Sequence, residues 1–98
     1  MEIKIIEIGS PRPFGTAETH IAKFEKNPTL QHFVVWVLQK QPNYTGSILT
    51  GRLCAVRCNN GTIVYSHPLF EEWLDKTIEL SSYCVGEFGC SYFTDIVD

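Results

Sequence analysis

The chain has 98 residues, of which 44% are hydrophobic, 12% aromatic and 19% charged, and its formal net charge is -3. That balance fits a single globular domain with a modest core and is too apolar for a disordered segment. The eight Lys and Arg are scattered and never adjacent, unlike the clustered bases that a phosphate backbone requires, and no run approaches the ~20 apolar residues of a membrane span; neither nucleic acid nor a membrane is an expected partner.

The N-terminal Met1-Glu2-Ile3-Lys4-Ile5-Ile6-Glu7-Ile8 is broken by charge and followed by no small-residue cleavage site, so it reads as a strand over 3–8 rather than a signal peptide. The expected compartment is the cytoplasm. Its alternation slips between Ile5 and Ile6, as a bulge or two buried faces would cause. Residues 9–15 hold two prolines and two glycines and read as a loop, after which 16–24 returns as a second strand, antiparallel to the first. Asn27-Pro28 is a helix start. Leu30, Phe33, Val34, Val37 and Leu38 then mark one helical face, and Pro42 ends it.

Residues 47–58 read as extended, with Gly51 as a bend, a bulge or a break between two strands. Asn60-Gly61 predicts a tight type I′ hairpin turn returning through 62–65. Ser66-His67-Pro68 opens a short helix burying Leu69, Phe70, Trp73 and Leu74. A final hairpin runs through 77–85 and 90–97 about a turn at 86–89. The chain is therefore one α+β domain over 1–98: a mixed or antiparallel sheet of five to seven strands, packed on one main helix and a short second one. This order of elements resembles a β-grasp (ubiquitin-like) domain with an added C-terminal strand. The segment Phe33-Val34-Val35-Trp36-Val37-Leu38, with Tyr44-Thr45-Gly46-Ser47-Ile48 after it, resembles a pattern in small phage and gut-bacterial proteins; it carries no catalytic residue.

Motifs for chemistry are sparse. The four cysteines include pairs four apart (Cys54, Cys58) and six apart (Cys84, Cys90). Even spacing on strands would put each pair on one face, and His67 is conceivable beside them, but the C-x₂-C knuckle of structural zinc is missing. No metal or cofactor is expected, and the thiols read as small buried hydrophobes in a reducing compartment. The histidines His20, His32 and His67 lie in no nucleophile motif, and Glu71 and Glu72 suit the positive end of the short helix. Gly86-Glu87-Phe88-Gly89 reads as a hairpin tip, since its acid would repel phosphate and no helix follows.

Two surfaces compete as sites. Aromatics near turns and on the terminal hairpin, Trp36, Tyr44, Phe88 and Tyr92, suit a contact surface, because interfaces are enriched in such residues. That reading makes the chain a non-catalytic protein-interaction module, such as a phage-type inhibitor or adaptor acting on a larger protein. An edge strand of the terminal hairpin would add to a partner's sheet or to its own copy in a homodimer. The alternative is a small-ligand binder or small Cys/His enzyme with His20, Cys54, Cys58, His67 and Cys84 around a pocket between helix and sheet. A self-associating structural subunit is the third expectation.

Overall fold

The computed structural model describes residues 2–9, 11–51, 54–65, 70–87 and 89–97. Its elements are β1 (Ile5–Glu7), β2 (Arg12–Phe14), β3 (Ala17–Phe24), α1 (Leu30–Lys40), β4 (Thr45–Thr50), β5 (Cys54–Asn59), β6 (Thr62–Tyr65), α2 (Phe70–Trp73), β7 (Ile78–Gly86) and β8 (Gly89–Ile96). They form a single α+β domain in which one mixed sheet of eight strands runs in the order β1-β3-β7-β8-β4-β5-β6, with β2 alongside β3. The eighth strand is β2, in the segment expected to be loop. Pro13 is tolerated there because, among the described residues, β2 pairs only with β3, and a strand at a sheet edge can spare an N–H.

All neighbouring strands are antiparallel except β4 and β8, which run parallel from Gly46↔Cys90 to Thr50↔Thr94. The terminal hairpin β7–β8 therefore lies in the middle of the sheet, flanked by β3 and β4, and offers no edge to a partner. Among the described residues the edges are β6 on one side and β1 with β2 on the other. With β1 outermost and the parallel pair between β4 and β8, the β-grasp likeness stays one of element order.

Helix α1 crosses one face of the sheet. Leu30, Phe33, Val34 and Val37 are buried as its spacing predicts, and Phe33 meets Phe24 of β3 and Tyr92 of β8 edge-on at 5.0 and 5.1 Å. Ala22, Ile48, Val56, Ile78 and Leu80 complete the core. The N-cap is Thr29, not Asn27: its Oγ1 accepts from the His32 N–H at 3.2 Å. Pro28 stays outside the helix because its carbonyl accepts from Ile78 N–H and Thr29 bridges Thr77, so sheet contacts hold the chain extended for two residues longer. The Asn60-Gly61 turn has φ of 51° and 80°, both positive as a type I′ turn demands. Among the described residues no helix is long and apolar enough to cross a membrane.

Candidate protein interface

Because side chains alternate along a strand, the register assigns every described strand residue to the face under α1 or to the opposite one. Trp73 and Leu74 pack against the same core as α1, and Gln31 N–H bonds the Leu74 carbonyl. Both helices thus lie on one side, and no described helix covers the other.

Under α1 the aromatic residues form a connected series. Trp36 is half-buried and stacks on Phe33 at 5.9 Å; Phe33 meets Tyr92, Tyr92 meets Tyr83 at 5.8 Å, and Tyr83 stacks on His20 at 4.7 Å and 5°. Glu7 closes the series, accepting from His20 Nδ1 at 2.9 Å and from the Tyr83 hydroxyl at 3.0 Å. His20 Nε2 faces Glu18 at 3.4 Å.

Tyr44 and Tyr92, expected on a contact surface, are only 3% and 5% exposed. Gly46 explains Tyr44. It sits between Cys90 of β8 and Cys58 of β5, and a Cβ there would collide with the Cys90 carbonyl and lie 2.6 Å from Tyr44 Oη. The tyrosine hydroxyl takes that space and donates to Cys90 O at 2.6 Å. Burial, then the neighbouring Cys90, Tyr92 and Cys58, pushes the Tyr44 phenol far above its ordinary value of 10.0. Tyr92 is raised by burial and by Cys90, and burial also raises the Cys58 and Cys90 thiols. Held as thiols, they are weak nucleophiles. Phe88 lies outside the described residues.

The residues expected around a pocket stand apart. His20 and Cys58 share the helix-covered face, but β7, β8 and β4 separate their strands, roughly 19 Å at the usual interstrand spacing. Cys84 points to the other face, where its Sγ lies 3.2 Å from Thr19 Oγ1. The even spacing of Cys84 and Cys90 misleads because a hairpin turn intervenes: Cys90 pairs with Val85, so the two cysteines face opposite ways. His67 and the Cys54 side chain lie outside the described residues. Cys58, Cys84 and Cys90 are free, and among the described residues no group of His, Cys, Asp or Glu could hold a metal ion. A separate open cleft of about 640 Å³ lies between the α1–β4 loop and the β7–β8 hairpin, walled by Gln41, Asn43, Val85 and Cys90.

The face away from the helices is the most informative surface, and it is organised in rows across the strands. Ile8 N–H bonds the Ile21 carbonyl, and Ile21 then pairs with Ser82, Ser82 with Phe93, Phe93 with Leu49 and Leu49 with Ala55. Five of those six residues are apolar, along roughly 24 Å. Ile8 and Ile21 are 59% and 37% exposed, and Ile6 beside them 39%. A second, parallel row runs Arg12–Thr19–Cys84–Ser91–Ser47–Arg57. Its middle is small, flooring a shallow trough of about 370 Å³, and each end is an exposed arginine. On the other side of the apolar row, Glu79 pairs with Asp95. Periodicity in the sequence could not reveal these rows, because each takes one residue per strand in an order set only by the fold.

No family model matches this sequence, and no similar curated protein or solved structure is found.

Proposed function

We propose that the chain is a non-catalytic protein-interaction module that acts by binding a larger protein, as a phage-type inhibitor or adaptor would. The observation that carries this reading is the sheet face that no described helix covers, with its in-register apolar row, exposed at Ile8 and Ile21 and half-buried at Phe93, Leu49 and Ala55, between a trough of small polar side chains and a pair of acids. Apolar patches rimmed by polar residues mark interaction sites when they are large, and a row of apolar side chains flanked by polar and charged ones has the anatomy of an interface core and rim. The contact surface thereby moves from Trp36, Tyr44 and Tyr92 to Ile8, Ile21, Phe93 and Leu49.

The ligand-binding or Cys/His-enzyme reading has less support, since His20, Cys58 and Cys84 do not converge and the Cys58 and Cys90 thiols are held protonated. Self-association is favoured by a different feature, the β6 edge.

Replacing exposed Ile8 and Ile21 together by Glu tests the reading. Immobilised wild type is expected to retain a protein from an extract of the cells that make the chain. The double variant should lose it while unfolding at the same denaturant midpoint. Equal retention by both, or no protein retained by either, would count against the proposal.

A further inference from the structure

The two sheet edges differ in a way that selects one occupant. At one edge β1 is flanked by Lys4 and ends at Glu7, and β2 with Pro13 lies along the rest of β3. Charge and proline are usual means of keeping an edge from pairing. At the other edge β6 reads Thr62-Ile63-Val64-Tyr65, with no charge, no proline and strong β-formers throughout. Among the described residues it pairs only with β5.

The register says which backbone groups of β6 face away from β5. Residues flanking a two-residue hairpin turn exchange both hydrogen bonds, and the pattern alternates from there. Asn59↔Thr62 and Arg57↔Val64 are therefore the bonded pairs, and the N–H and C=O groups of Ile63 and Tyr65 point outward. These two residues lie symmetrically about Val64, which is 50% exposed on the uncovered face.

We infer that β6 pairs antiparallel with β6 of a second copy of this chain, giving a two-fold dimer with one continuous sheet. Ile63 of each copy bonds Tyr65 of the other through both backbone groups. Val64 faces its own counterpart at the two-fold axis, in the closely spaced position that suits β-branched pairs. Two uncharged strands meet without repulsion. The contact consumes the β6 edge of both copies, and the guarded β1 and β2 edges stop further addition, so the assembly closes at two. Because Val64 pairs with Arg57, the small-residue row runs on through Val64 into the second copy and doubles the length of the uncovered face. The dimer does not depend on the partner-binding reading, and the two fail separately.

Light scattering on the purified protein and hydrogen exchange test the inference. Wild type is expected at twice the chain mass, Val64→Thr likewise, and Val64→Lys, which sets two ammonium groups face to face, at the single-chain mass with unchanged circular dichroism. In wild type the Ile63 and Tyr65 amides should exchange more slowly as concentration rises, while the Val64 amide, bonded to β5, stays protected throughout. A single-chain mass for wild type at every concentration, a Val64→Lys dimer, or concentration-independent exchange at Ile63 and Tyr65 would each overturn it. Ile8→Glu/Ile21→Glu should remain dimeric, which separates this contact from the partner surface.

Discussion

At Gly46 the sheet carries no side chain, and the Tyr44 hydroxyl lies over the gap to reach the Cys90 carbonyl. Tyr44→Phe should cost about 1–2 kcal/mol, because it removes a buried hydrogen bond while keeping the ring. Gly46→Ala should cost at least as much, about 1–3 kcal/mol, since the nearest obstacle to its Cβ is backbone. Urea denaturation of both variants checks these values. The same cluster sets an alkaline limit. Tyr44, Tyr83, Tyr92, Cys58 and Cys90 are all raised above their ordinary values of 10.0 and 9.0, with burial the first cause in each. Such a group keeps its proton in the folded chain where the unfolded chain has lost it. Its stability is fully present below the ordinary value and declines as pH rises past it, towards the raised folded value. Stability should therefore fall as pH climbs beyond about 9–10, and Tyr44→Phe should fall less steeply. Cys58, buried with its thiol raised, should react with a thiol reagent only on unfolding. The burial of Cys58 was legible as that of a small hydrophobe, but the place of Tyr44 was not: it sits beside Pro42 and Asn43 in a turn-like string, and its hydroxyl's partner Cys90 lies 46 residues further along the chain.

Elements were legible wherever local chemistry decides them. The α1 face, the positive-φ turn at Asn60-Gly61 and the break near Gly51 follow from spacing and backbone preference. They erred where a distant strand intervenes. The Asn27-Pro28 start gave way to a Thr29 cap once Pro28 and Thr29 were tied to β7 and its approach, and β2 formed in a Pro-rich loop because β3 offered it a ladder. Thr29→Ala should destabilise the fold by about 1 kcal/mol, and Gly61→Ala by about 1 kcal/mol or more, since it forces a Cβ into positive φ. Thermal or denaturant midpoints decide both. A shift no larger at Thr29 than at exposed Gln39 would remove the capping argument.

The whole molecule was the least legible, since the parallel β4–β8 pairing and the central place of β7–β8 are long-range choices that no local period encodes. Those choices moved both sheet edges, separated His20 from Cys58, sent Cys84 and Cys90 to opposite faces, and built the apolar row from Ile8 to Ala55. The face that no described helix covers is the proposed contact with a partner protein. Site-specific photocrosslinking tests it most directly, with a photoreactive residue at Ile21 or Ile8 on that face, at Val64 on the β6 edge, or at Gln39 on the outer side of α1, in cells that make the protein. The prediction is a covalent adduct with one larger protein from Ile21 and Ile8, an adduct of twice the chain mass from Val64, and none from Gln39. Adducts to a larger protein from Gln39 with none from Ile21 or Ile8 would contradict it.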